Sequence, residues 1–291
     1  MIKLPVIGLI MALLVMMSGC VTLPGAATEK IGSRQVEYTL TRCEGPAVIF
    51  ESGLGGTMDW WVKVYPEIAA KHTALAYNRA GYGKSDSVPA PRDGTQSVVE
   101  LRALLAQLGL KPPYVLVGHS LGGLYMQLFA RRYPDEVAAL ILVDSTHPEQ
   151  LKGLGAPGHW PAWARLALGV AASDVAKSEL AGIDATGKAV LSLPTLTGKP
   201  VIVLSAVHPL RETSELAADA NLKRKDIARL FPGSQQIWVD SGHAIPLEKP
   251  EAVISAIREA MRAGASTSNV HLQSSASGTD KAAVPYFVMP P

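Results

Sequence analysis

Tyr114-Val115-Leu116-Val117-Gly118-His119-Ser120-Leu121-Gly122-Gly123 is the stretch from which the rest of the chain can be read. The unbroken apolar run from Tyr114 to Val117 suits a strand buried on both faces. It stops at Gly118, and Leu121, Leu124, Leu128 and Phe129 then recur at helical spacing. Ser120 therefore stands on a sharp strand-to-helix turn of the form G-x-S-x-G. The glycines answer crowding, because a serine held at positive φ brings its neighbours two residues away against strand and helix, where a Cβ would clash. Such a turn lifts the Ser120 Oγ clear of the sheet. It also aims the first helical N–H groups at the place where negative charge would develop.

Outward from this turn, apolar runs alternate with helical patterns. Val36, Tyr38 and Leu40 alternate with polar residues as an edge strand, and Ala47–Phe50, Thr73–Tyr77, Val137–Val143, Val201–Leu204 and Gln236–Val239 are further strands. Helices are predicted after Phe50 (Trp60, Trp61, Val64, Ile68), near Val98–Leu108, from Glu212 to Leu230 and from Pro250 to Met261. Strands alternating with helices mean a mostly parallel sheet covered on both faces, with ligands beyond the carboxyl ends of the strands. Residues 149–199 break the rhythm with Gly, Pro, Trp160, Trp163 and weak helical patterns, and are read as an inserted cap. Residues 34–263 form the main domain, and 264–291, rich in Ser, Thr and Gly, a disordered tail.

With 291 residues, 48% of them apolar, the chain can fill a sizeable core, and a net charge of +2 without a basic stripe argues against a nucleic-acid partner. The two cysteines, Cys20 and Cys43, are too few for a disulfide framework and lack metal-ligand spacing. No cofactor or metal is expected. Residues 1–19 have the form of a signal peptide: Lys3, then the apolar run Leu4–Met17, too short for a comfortable membrane span. Met17-Ser18-Gly19-Cys20 resembles the bacterial lipobox, with methionine where leucine is usual. That resemblance implies a lipidated Cys20, a loose tether over 20–33 and, with Val21 next, the outer membrane. Plain cleavage and an uncleaved anchor stay open.

A serine hydroxyl needs a base to take its proton, and the base needs an acid to fix its tautomer. Of seven histidines, His243 follows the last strand in Asp240-Ser241-Gly242-His243, at the correct end of the sheet. His119 is expected to pack inside the turn, and His72, His159, His208 and His271 lie elsewhere. The loop after Leu204 carries no carboxylate, so Asp144, immediately after Val143, is the acid best placed by chain order. A structural role for Asp144 stays open; Glu212, Glu215 and Asp219 are read as helix-surface charges, and Asp240 is too near His243 in sequence to orient it easily. The oxyanion is assigned to the N–H groups of Leu121 and Leu54, the latter in the glycine-rich loop after Phe50. Neither Gly53-Leu54-Gly55-Gly56 nor Gly83-Lys84-Ser85 has the spacing of a nucleotide-binding loop.

Gly118-His119-Ser120-Leu121-Gly122-Gly123, Asp240-Ser241-Gly242-His243 and the turn Asn78-Arg79-Ala80-Gly81-Tyr82-Gly83-Lys84-Ser85 resemble the α/β-hydrolase superfamily, over roughly Val36 to Arg262. The resemblance implies a mostly parallel eight-stranded sheet with helices on both faces and an inserted helical cap. Some members carry their acid where Asp144 stands, although the commoner position is the carboxylate-free loop after Leu204. A serine in the turn disfavours the dehalogenase and epoxide-hydrolase chemistries that use aspartate there. The expected substrate is a small-molecule carboxylic ester, with an amide or thioester as the enzymatic alternative. A hydrolase-like binding or sensor protein is the rival from another class. Trp160 and Trp163 either line an acyl or alcohol pocket or only pack the cap.

Overall fold

Apolar runs that do not alternate need cover on both faces, and the chain supplies it. The structure is a computed structural model and describes residues 22–89, 91–209 and 214–276. Its strands are β1 (Ala27–Ile31), β2 (Arg34–Thr41), β3 (Val48–Glu51), β4 (Ala74–Tyr77), β5 (Tyr114–His119), β6 (Val137–Val143), β7 (Val201–Ala206) and β8 (Gln235–Val239). They form one eight-stranded sheet in the order β1-β2-β4-β3-β5-β6-β7-β8. β1 with β2 and β2 with β4 are antiparallel, and all remaining pairs are parallel. This is the α/β-hydrolase fold.

Successive side chains of a strand face opposite ways, so each central strand feeds two cores. Leu116, Leu140, Leu142 and Val203 pack with Leu101, Leu104 and Leu124 from the helices Gly94–Gln107 and Leu121–Arg132. Val115, Val117, Ile141 and Val143 pack on the other face with Trp61, Ile68, Val253 and Ile257. The register sets the strand ends level, pairing Gly118 with Glu51, His119 with Val143, and Val143 with Leu204. Whatever follows His119 and Val143 is thereby brought to one edge.

Several expectations shift. β2 is not the sheet edge: Ala27–Ile31, expected to belong to the tether, pairs along it, and Leu23 is buried. Three of the five residues of β1 are exposed and Ile31 packs partly against the core, so its order comes largely from backbone pairing. The helix expected near Val98 begins at Gly94, because the Asp93 side chain accepts from the Gln96 N–H at 3.0 Å and caps it a turn early. The helix expected from Glu212 runs over Glu215–Asp226 behind the cap Ser214, with a 3₁₀ turn after it; Glu212 itself lies outside the described residues. The last helix spans Pro250–Ala276, beyond the expected start of the tail at 264, and residues 277–291 lie outside the described residues. So do residues 1–21, with the expected signal peptide and Cys20. No helix among the described residues is long and apolar enough to cross a membrane. The insertion between β6 and β7 contains the helices Ala162–Ala171, Asp174–Ala181 and Ile183–Ser192.

Candidate active site

The turn after β5 is built as tightly as its glycines demand. A Cβ on Gly118 would lie 2.6 Å from the Gly122 carbonyl, and one on Gly122 would lie 2.4 Å from the Glu51 carbonyl. Both are backbone atoms and cannot swing aside. Ser120 sits at φ 53° and ψ −122°. It and Asp144 (φ 40°) are the two non-glycine residues with positive φ among the described residues. Backbone strain of this kind costs on the order of 1–3 kcal/mol per residue and persists only where the surroundings impose it. Here they do: the Ser120 N–H donates to the Val143 carbonyl at 3.1 Å, and the Asp144 N–H to the Leu204 carbonyl at 2.7 Å.

The three side chains that chain order grouped come together. His243 Nε2 lies 3.0 Å from Ser120 Oγ, and His243 Nδ1 lies 2.5 Å from Asp144 Oδ2. Since a carboxylate only accepts, Nδ1 carries the proton and Nε2 presents its lone pair to the hydroxyl. The Asp144 carboxylate is fully buried and also takes the Arg224 Nε–H and the Ala206 N–H. Burial alone would raise this carboxyl. Arg224, the His243 hydrogen bond and the Ala206 N–H outweigh it and hold the group below the ordinary carboxylate range. The other acids considered are elsewhere: Asp240 pairs with His208 at 3.2 Å on the exposed surface, Asp219 pairs with Lys223, and Glu215 is exposed.

Leu121 opens the helix directly after Ser120, and Leu54 borders the same cleft as Ser120 and His243. Among the described residues, neither backbone N–H is engaged in a hydrogen bond. The cleft is mainly apolar, with Trp160, Leu180 and Ile183 from the cap forming part of its wall. The Trp160 indole N–H donates to the Gly155 carbonyl at 2.9 Å, so this ring both packs the cap and borders the cleft. The Trp163 side chain lies outside what the structure describes. No group of three or more His, Cys, Asp or Glu among the described residues is arranged to hold a metal ion.

Sequence reasoning missed three partners of this site. Arg224 reaches Asp144 from a helix with no local motif. Arg79 is buried between Glu51 and Glu179, where burial pushes the Glu51 carboxyl up against the pull of Arg79 and of the Tyr77 hydroxyl. His119 packs in the turn as expected, but it also touches His243: its Nε2–H donates to the His243 carbonyl at 2.9 Å, and the two rings are 4.8 Å apart. The His119 ring also stacks on Trp60, with centroids 5.0 Å apart.

Burial, and secondarily the neighbouring His243, push the His119 imidazole down to about 3. An unfolded histidine titrates near 6.5, so the unfolded chain binds the extra proton first as pH falls. The stabilisation is complete above the unfolded value and is lost progressively as pH drops toward the folded one. His119→Gln is therefore expected to flatten the acid slope of stability, by about 2 kcal/mol between pH 6.5 and 5. Urea midpoints of both proteins at the two pH values check this, and parallel slopes would contradict it.

Residues 46–179 match the family described as alpha/beta hydrolase fold. That stretch contains Glu51, Arg79, Ser120, Asp144 and Glu179 but stops short of His243. The uncharacterised YqjL protein of Bacillus subtilis is 34% identical over 100 residues, covering 34% of this chain and 40% of that protein. The human (lyso)-N-acylphosphatidylethanolamine lipase is 30% identical over 129 residues, 40% of this chain and 36% of the lipase. The chain thus spans well under two thirds of the length of these curated relatives. Among solved structures, a thermophilic esterase from Thermogutta terrifontis superposes with a TM-score of 0.58 over 82% of this chain and 98% of the esterase, at 21% identity. At that identity the likeness speaks for the fold alone.

Proposed function

We propose, from the α/β-hydrolase fold that this chain adopts, that it is a serine hydrolase cleaving a carboxylic ester through an acyl-enzyme. What supports the proposal above all is the continuous relay Ser120–His243–Asp144, at 3.0 Å and 2.5 Å, opening on one apolar cleft. The Ser120 Oγ attacks the ester carbonyl carbon while its proton passes to His243 Nε2. The carbonyl oxygen becomes an oxyanion, held by the N–H groups of Leu54 and Leu121. Collapse breaks the bond to the alcohol oxygen, which leaves with the proton from His243. Water then attacks the acyl group, His243 again serving as base and then as acid, and the carboxylic acid departs. Asp144 keeps the imidazole in the productive tautomer and stabilises its charged form. An ester is favoured over an amide because an alcohol is the easier group to expel.

A fluorophosphonate probe tests the nucleophile. The expected result is a single covalent adduct on Ser120 in the folded protein, absent after Ser120→Ala; a folded protein left unlabelled would overturn the assignment. The proposal extends to the N-terminus, where the lipobox-like Met17-Ser18-Gly19-Cys20 supports cleavage before Cys20 and its acylation, tethering the hydrolase to the bacterial envelope on the outer-membrane side. Each buried CH₂ of such chains contributes about 0.8 kcal/mol to anchoring. Mass spectrometry of the mature N-terminus should find acylated Cys20, and an unmodified residue there would sink the idea.

A further inference from the structure

Arg79 is buried and far from Ser120 in sequence, yet its donors divide between the stretch that leads into Leu54 and a glutamate of the cap. Its Nη1 donates to the Ser52 carbonyl and to Glu51 Oε1, each at 2.6 Å, and its Nη2 donates to the Gly53 carbonyl at 2.8 Å. Across a trans peptide the C=O and N–H point in opposite directions. Tying down the Gly53 carbonyl on the Arg79 side therefore turns the Leu54 N–H to the other side of that peptide, and Leu54 borders the cleft shared with Ser120 and His243. The same Gly53 carbonyl also takes the Gly56 N–H at 3.2 Å, which closes the loop into a turn.

The other half of the clamp comes from the cap. Glu179, on the cap helix Asp174–Ala181, is fully buried and meets Arg79 in a two-pronged pair, Nε to Oε1 at 2.7 Å and Nη2 to Oε2 at 3.0 Å. Tyr82 joins the two parts: its hydroxyl donates to Glu179 Oε2 at 2.8 Å and accepts the Gly55 N–H at 3.3 Å. A guanidinium has the planar fork that can serve a carboxylate and two carbonyls at once, whereas a single ammonium does not.

We propose that Arg79 is a positioning residue for the oxyanion site, and that Glu179 couples the seating of the cap to the orientation of the Leu54 N–H. The cap is then more than a wall of the cleft, since its docking completes the turn that stabilises the transition state. This rests on the serine-hydrolase proposal above.

The test uses the full chain with Glu179→Gln and, as the milder change, Tyr82→Phe. Both are compared with the unaltered protein in kcat and KM on a short p-nitrophenyl ester, in affinity for the matching trifluoromethyl ketone, and in melting temperature. The ketone forms a hemiketal oxyanion on serine and so reports the site directly. Glu179→Gln is expected to lower kcat by about 10- to 100-fold, below the loss seen when an oxyanion donor is removed outright. Ketone affinity should fall by a similar factor, with KM within about threefold, since the interaction lost belongs to the transition state. Tyr82→Phe should move both in the same direction by less, and it carries the test if Glu179→Gln does not fold. A merely structural role would lower the melting temperature and leave kcat and ketone affinity of the folded enzyme unchanged; that outcome overturns the coupling, as does a change confined to KM. Should the unaltered protein neither turn over the ester nor label at Ser120, the hydrolase proposal itself fails, and the inference with it.

Discussion

Asp144→Asn is expected to lower kcat on an activated ester by about 10⁴-fold while leaving the fold in place. The reason lies in how the carboxylate is shared. Its Oδ1 takes the Ala206 N–H at 3.2 Å, the Arg224 Nε–H lies 3.1 Å from Oδ1 and 3.3 Å from Oδ2, and Oδ2 faces His243 Nδ1. An asparagine has one acceptor and one donor end. The Ala206 N–H, which meets Oδ1 alone, holds the acceptor at that position with the nearer contact of Arg224, which leaves the NH₂ facing His243. The imidazole must then present a bare Nδ1, so its proton moves to Nε2, the atom that has to receive the Ser120 proton. The base is lost although nothing has moved. Stability should fall too, because Arg224 loses its counter-charge in a mostly buried place, at a cost of about 3 kcal/mol. This part depends on pH with a definite sign. Asp144 is held below the ordinary carboxylate range, so its contribution is complete above the unfolded value near pH 4 and lost as pH falls through the lower folded value. The stability gap between the two proteins should therefore narrow below about pH 4. A variant that folds and keeps kcat within tenfold would return Asp144 to a purely structural role.

What could be read from the sequence, and what could not, divides by where the signal is stored. Ser120 announces itself through the glycines at 118, 122 and 123, which crowding forces into its immediate neighbourhood. His243 and Asp144 follow strand ends, and a parallel sheet brings all such ends to one edge. Leu54 sits between Gly53, where a Cβ would lie 3.1 Å from the Ser120 Cβ, and Gly55, which is held at φ 71°. Each of these signals is local. Arg224 and Asp144 are 80 residues apart, and Arg79 and Glu179 are 100 apart. Nothing near Arg224 or Glu179 distinguishes it from the surface charges of a polar helix, so only the fold reveals that one meets the Asp144 carboxylate and the other meets the Arg79 that ties down the Gly53 carbonyl. β1 escaped for a different reason: an edge strand held by backbone pairing needs no apolar pattern. The early start of the Gly94–Gln107 helix was legible in principle, since Asp93 is a good capping residue, but the apolar periodicity began a turn later and drew the boundary there.

Ser120→Gly separates what the turn does for chemistry from what it does to stability. Without the hydroxyl there is no nucleophile, and kcat should fall by on the order of 10⁶-fold, leaving only what the oxyanion site and binding provide. The same change should raise the melting temperature. Ser120 is held at φ 53° and ψ −122°, a region that suits glycine and strains a residue carrying a Cβ. Relief of on the order of 1–3 kcal/mol is set against the extra freedom of glycine in the unfolded chain, close to 1 kcal/mol. The net gain of about 1 kcal/mol corresponds to roughly 2–4 °C for a domain of this size. Ser120→Ala is the control, because it removes the same oxygen and keeps the Cβ. If strain is stored at this residue, alanine inactivates without stabilising, and the difference between the two melting curves measures it. Equal melting temperatures would place the energy elsewhere. The constraint would then belong to the packing of Gly118 on Gly122 and of Gly122 on the Glu51 carbonyl, which fixes the turn whatever side chain it carries.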